Sequence, residues 1–230
     1  MDLDNLSQNS HENKNKHKYQ GTLITFEGID GTGKTTQCER LIKALSCSPS
    51  ETVFLREPGA TRLGERIREL VLSSHDIQID AKSELLLYEA ARAQLIEETI
   101  QPALLRGAYV ICDRFYDSTT AYQGFGRGLG LEFALSANQL ACGDIVPHKT
   151  LYFELDPLIA LKRATVTGAD RIEQTGIDFM YKVQEGYQNL ALLEPDRFIT
   201  IDASKSKDEV WNQVKAALSD CIDFSFDCSE

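Results

Sequence analysis

The sequence predicts an α/β fold: a five-stranded parallel sheet with helices on both faces and a small mobile lid. Three observations lead there. Short, almost wholly apolar runs alternate with segments of helical spacing, the pattern of strands covered on both sides by crossover helices. A glycine-rich turn joins the first apolar run to the first helix. The chain of 230 residues has no internal repeat and no linker-like composition shift, which suits one domain with a substantial core.

Residues 1–20 are polar, rich in Asn, Lys, His and Ser, and read as a disordered N-terminal extension. The first strand is expected at 23–27 and its helix at 36–45, with Leu41, Ile42 and Leu45 on one face. A second strand at 52–56 ends at the breaker pair Pro58-Gly59. Helical spacing covers 63–72 and 83–105, with Pro102 near the end of the latter, and Gly107 precedes a third strand at 109–112. Glycines at 124, 126, 128 and 130 mark a loop before a helix at 131–142. The fourth strand is 150–155, and Pro157 opens a helix at a favourable first-turn position. The polar stretch 165–176 interrupts the pattern and places a lid at about 162–176. A helix at 177–193, a fifth strand at 198–201 and a helix at 207–218 complete a single domain over 21–218, and 219–230 read as a tail.

A net charge of −11 argues against a nucleic-acid backbone as partner, although a local pocket can still bind a small anion. No apolar run is long enough to span a membrane, and the N-terminus lacks an apolar signal core, so a cytoplasmic location is expected. The six cysteines include no C-x-x-C pair and read as reduced thiols, several of them buried. The four histidines are scattered, which disfavours a zinc site.

The stretch Gly28, Ile29, Asp30, Gly31, Thr32, Gly33, Lys34, Thr35 fits G-x-x-x-x-G-K-[ST] and sits between an expected strand and an expected helix, the context of a phosphate-binding P-loop. Glycines let the backbone turn its N–H groups toward an anion, and the helix N-terminus adds partial positive charge. Lys34 suits the β- and γ-phosphates of ATP and Thr35 offers a hydroxyl to Mg²⁺, which makes the expected architecture a P-loop NTPase fold.

Ligands of such sheets bind beyond the carboxyl ends of the strands. There the third strand runs into Asp113, an acid suited to Mg²⁺ or its water, and Arg114, a fork for phosphate. Arg114, Ser118 and Tyr122 recur every four residues, with Thr119 and Gln123 alongside; if helical, they line one wall. Tyr88 and Arg92 share a helix face, which suits stacking on a planar base and donating to its carbonyl, or equally a core tyrosine and a surface arginine. Arg56 and Glu57 set opposite charges at a strand end, as a binding pair or a structural salt bridge, and Arg68 could reach an anion or stay solvated.

These pieces resemble the thymidylate kinase family over roughly residues 21–218. The resemblance rests on the run from Phe26 to Gln37, Arg56-Glu57-Pro58-Gly59-Ala60-Thr61, Tyr88-Glu89-Ala90-Ala91-Arg92, Asp113-Arg114-Phe115 with Ser118, Ala121-Tyr122-Gln123-Gly124, and Asp170-Arg171-Ile172-Glu173. It implies transfer of the γ-phosphoryl group of ATP to dTMP with Mg²⁺, in a homodimer. By the same resemblance Asp30 approaches the acceptor or the metal, Tyr88 stacks on thymine, and Arg92 meets its O4 side. Arg114 and Arg68 lie near the acceptor phosphate, Ser118, Thr119 and Gln123 contact the base, Tyr122 crowds the 2′ position, and Glu57 lies near sugar and metal. A kinase for another pyrimidine monophosphate shares every P-loop feature. A GTP-binding switch would need Asn-Lys-x-Asp downstream, whereas the only Asn-Lys pairs are Asn13-Lys14 and Asn15-Lys16, upstream of the loop.

Two departures stand out. The family's usual Gly-Gly is Gly59-Ala60 here. The family also places a catalytic arginine either in the P-loop, where this chain has Gly31, or in the lid, where threonines replace much of an arginine-rich pattern. Such a cation contributes roughly 10³–10⁵ in rate; Arg171 is the first candidate and Arg163 the second.

Overall fold

The computed structural model describes residues 19–73, 77–164 and 175–226. Its strands are β1 (Thr22–Glu27), β2 (Thr52–Arg56), β3 (Tyr109–Asp113), β4 (Lys149–Glu154) and β5 (Phe198–Asp202). All pairings are parallel, in the order β2-β3-β1-β4-β5. The helices are α1 (Lys34–Leu45), α2 (Arg62–Ser73), α3 (Ala81–Leu95), α4 (Gln101–Leu105), α5 (Tyr116–Thr119), α6 (Leu131–Cys142), α7 (Pro157–Ala164), α8 (Ile177–Leu193) and α9 (Lys207–Leu218).

Strand periodicity divides the core. Successive side chains of β1 point to opposite faces. Ile24 and Phe26 join Leu41 and Phe153 on one side of the sheet, while Leu23 joins Leu95, Ile100, Val110 and Phe115 on the other. Each such side chain contributes about 1.5–3 kcal/mol on full burial, so both helical layers are held by the same strands.

The chain passes from β1 to β2 on one side of the sheet and from β3 to β4 on the other, so a crevice opens between the carboxyl ends of β1 and β3. Register keeps those ends level: Asp113 lies opposite both Phe26 and Arg56. The Arg114 N–H donates to the Phe26 carbonyl (3.0 Å) and the Glu57 N–H to that of Asp113 (3.0 Å), tying three loops to one edge.

Three expectations need correction. The helix expected at 83–105 is broken by a π turn, Ile96–Ile100, because Pro102 lacks an N–H and crowds the preceding turn. Glycines 124 and 126 belong not to a loop but to a π-helical segment, Thr120–Gly126, that continues α5. They are small because neighbours press against them: a Cβ on Gly124 would meet that of Ala134 at 3.1 Å. Cys38, Cys112, Cys142 and Cys221 are free, but the exposed Cys47 is disulfide-bonded. Among the described residues no helix is long and apolar enough to cross a membrane.

Candidate active site

The P-loop takes the shape its glycines permit. Gly28 and Gly31 have φ of 133° and 83°, and a Cβ on Gly31 would meet the Ala160 carbonyl oxygen at 2.1 Å. No arginine fits at 31 without displacing α7, which accounts for the glycine there. Gly33 precedes α1 without a capping side chain, which leaves the first N–H groups of that helix for an anion. Lys34 donates to the carbonyls of Gly28 (2.9 Å) and Ile29 (3.0 Å), and burial together with Arg114 lowers its pKa. Thr32 closes the loop onto the Ile29 carbonyl at 2.9 Å. The Thr35 hydroxyl donates to Asp113 Oδ2 at 3.0 Å.

Beside the loop lies a cleft of about 380 Å³. Asp30, Thr35, Glu57, Arg68, Tyr88, Arg92, Asp113, Arg114, Ser118, Thr119, Tyr122 and Gln123 all line it. Arg114 is its hub, although no helix carries it: its φ is 72°, a left-handed conformation that costs a non-glycine residue about 1–2 kcal/mol. Its guanidinium donates to the Gly28 carbonyl (2.8 Å), Ser118 Oγ (3.2 Å), Tyr187 OH (3.4 Å), Asp30 Oδ1 (2.7 Å) and Tyr122 OH (3.2 Å). Burial opposes charge on Asp30, but Arg114 and Lys34 outweigh it and hold that carboxyl at about 2.

A second buried cluster forms the far wall. Arg92 is 2% exposed, so it is not the surface arginine of the alternative reading. Its Nε donates to Glu57 Oε2 at 2.8 Å and its Nη1 to Glu89 Oε1. Burial and the neighbouring Glu89 raise Glu57 to about 7 against the pull of Arg92. Glu57 Oε1 is buried with no hydrogen-bond partner among the described residues. Arg68 donates to the Pro58 carbonyl at 3.0 Å, Ala60 sits at φ 63° in the same turn, and Gln123 donates to Glu84 at 2.9 Å.

The cation question stays apart from this cleft. Arg163, on α7, donates to the Ala203 carbonyl at 3.3 Å and does not line the cleft. Arg171 lies outside the described residues.

Sequence reasoning missed several groups. Glu27 is fully buried, and it accepts from the Phe115 N–H (2.7 Å), Ser118 Oγ (2.6 Å) and Tyr187 OH (2.9 Å). Burial, reinforced by Asp117, raises it to about 7. A lone acid ending an apolar strand was its signal. Tyr187 gave none, since it comes from α8, far along the chain.

A family model described as Thymidylate kinase matches residues 26–214. The chain belongs to the thymidylate kinase family. It is 43% identical over 205 residues to a thymidylate kinase of Bacillus velezensis, covering 88% of this chain and 97% of the relative. It is 44% identical over 202 residues to that of Deinococcus radiodurans, covering 87% and 98%. The crystal structure of thymidylate kinase from Ehrlichia chaffeensis is similar at a TM-score of 0.71 and 34% identity, covering 86% of this chain and 98% of that one. The sheet and the P-loop are those of this family's ATP-dependent phosphotransferases, on the P-loop NTPase fold.

Proposed function

We infer that the protein transfers the γ-phosphoryl group of ATP to dTMP, forming dTDP. The observation that carries this is the cleft beside the P-loop, where an arginine hub lies opposite a ring, a buried arginine and an amide. A phosphate oxygen is already a nucleophile, so positioning and charge neutralisation suffice. In this reading Gly28, Ile29, Asp30, Gly31, Thr32, Gly33, Lys34 and Thr35 receive the ATP phosphates. Lys34 supplies an ammonium to the β- and γ-oxygens. Arg114 and Arg68 meet the acceptor phosphate, with Asp30 holding Arg114 in place. Tyr88 stacks on the base, Arg92 donates to its O4, Ser118, Thr119 and Gln123 line its edge, and Tyr122 fills the space a 2′-hydroxyl would need. Arg171, with Arg163 as the second choice, supplies the remaining cation on lid closure.

The donor set suits Mg²⁺. A hydroxyl and a carboxylate 3.0 Å apart, Thr35 and Asp113, with Glu57 lining the same cleft, match an ion that takes few protein ligands and completes its shell with phosphates and water. Among the described residues no group of three His, Cys, Asp or Glu forms a self-sufficient metal cage. Bound there, Mg²⁺ would neutralise charge on the transferred group.

A homodimer fits the packed pair α3 and α6, which leaves Leu86, Phe133 and Leu140 exposed. A cytoplasmic location fits an ATP-consuming enzyme of nucleotide synthesis. The test is a turnover panel of dTMP, dUMP, UMP, CMP, AMP and GMP with ATP and Mg²⁺. The expected result is a clear preference for dTMP, and preference for another monophosphate would replace this reading.

A further inference from the structure

An amide presents either a donor or an acceptor to a ligand, according to its flip. At Gln123 the flip is set from behind. Glu84 on α3 is fully buried, and its Oε1 accepts from Gln123 Nε2 at 2.9 Å. Arg127 grips the same carboxylate at both oxygens, Nε to Oε1 at 3.0 Å and Nη2 to Oε2 at 3.1 Å. A carboxylate paired with a guanidinium accepts hydrogen bonds and donates none, so only the NH₂ end of Gln123 can face it. The opposite flip would press a carbonyl oxygen against a buried carboxylate. Arg127 is itself fixed. Its guanidinium lies 4.7 Å from the Phe179 ring centroid, and Nη1 reaches Thr175 Oγ1 at 3.5 Å. Gly126 makes room for that ring, since a Cβ there would meet it at 2.6 Å.

We propose that Glu84, anchored by Arg127, is a positioning residue for substrate choice: it locks the Gln123 amide with Oε1 toward the cleft, so the site selects pyrimidines that carry an N3–H. This deepens, and rests on, the reading of the cleft as a pyrimidine monophosphate site. Thymine and uracil place an N3–H donor beside an O4 acceptor. Cytosine places an N3 acceptor beside an amino donor. An amide oxygen at Gln123 and a guanidinium at Arg92 complement the first edge and oppose the second at both positions.

The test compares inhibition constants of dUMP and dCMP against dTMP turnover in the full-length wild type, Glu84→Gln and Arg127→Ala. The two inhibitors share sugar and phosphate and both lack the 5-methyl group, so their ratio isolates the base edge. Glu84→Gln puts a group behind Gln123 that can donate or accept. The amide then flips freely, and the dCMP-to-dUMP ratio of inhibition constants falls about ten-fold. Arg127→Ala loosens the same carboxylate and moves the ratio in the same direction by less. An unchanged ratio in the folded variants overturns the proposal, and so does a parallel rise of both constants, the result of a merely structural role. If Glu84→Gln does not fold, Arg127→Ala decides by the same criterion. A wild type that does not phosphorylate dTMP overturns the functional reading itself, an outcome separate from an unmoved ratio.

Discussion

Two buried glutamates stand at the carboxyl edge of the sheet, Glu27 closing β1 and Glu57 just past β2, and burial lifts both to about 7. Their surroundings differ. Both oxygens of Glu27 accept from fixed protein donors, the Phe115 N–H and the hydroxyls of Ser118 and Tyr187. Glu57 gives Oε2 to Arg92 and keeps Oε1 without a partner among the described residues, in a side chain that lines the cleft. The same residue type at the same depth with the same displaced pKa thus serves two ends. Glu27 holds the scaffold around Arg114, and Glu57 keeps one buried oxygen without a partner among the described residues. The unpartnered oxygen, rather than the pKa, is what separates the two.

The largest effect is expected where the Glu27 scaffold meets the cleft. Arg114→Ala should lower kcat/KM for dTMP by about 10³-fold, roughly 4 kcal/mol of transition-state stabilisation. A loss of only a few-fold in steady-state rate would show that the hub is structural. Glu27→Gln should act on stability instead. Folded Glu27 holds its proton more tightly than the unfolded value of 4.5, so its contribution is fully present below 4.5 and is lost as pH rises through about 7. Urea unfolding at pH 5 and pH 8 should show the wild type losing of order 3 kcal/mol relative to the variant across that window. Parallel curves would remove the scaffold role.

Glu57→Gln should raise the KM for dTMP and lower kcat/KM by about 10–100-fold, because Arg92 keeps Glu89 and the fold survives. If this variant lost stability while its kinetics were unchanged, Glu57 would be scaffold too, and the contrast would collapse. The smallest effect is expected in the turn that aims Glu57. Ala60→Gly relieves a residue held at φ 63° and should stabilise the protein by up to about 1 kcal/mol in thermal melts. A lower melting temperature would show that the left-handed geometry at Ala60 carries no strain.

Much of the fold was legible because strand burial and helical spacing are written locally. Every strand was located to within one residue at each end, and α6, α8 and α9 match their expected spans. Part of the cleft was legible for the same reason: Asp30, Glu57, Asp113 and Arg114 fall in short motifs at strand ends, set by the register of β1, β2 and β3, while Arg68, Tyr88 and Arg92 reach it from α2 and α3. What escaped depends on partners distant in sequence. Periodicity reports which face a side chain occupies, not which hydroxyl 160 residues away it meets, as Tyr187 meets Glu27. Nor does it distinguish a buried arginine flanked by two acids from a solvated one, the choice left open at Arg92. The spacing of Arg114, Ser118 and Tyr122 pointed to a helical wall. The three side chains do meet, but through a left-handed backbone at Arg114 that no periodicity encodes.

The division of the site into a donor loop and an acceptor cleft is open to calorimetric titration of Lys34→Ala with ATP and, separately, with dTMP. Lys34 donates to P-loop carbonyls and lies outside the cleft lining, and Asp30, which it meets at 3.6 Å, is held more closely by Arg114 at 2.7 Å. ATP affinity should therefore fall by at least about ten-fold, and dTMP affinity should stay within about three-fold of wild type. A parallel loss of both affinities would contradict two separate halves and place the acceptor on the loop itself.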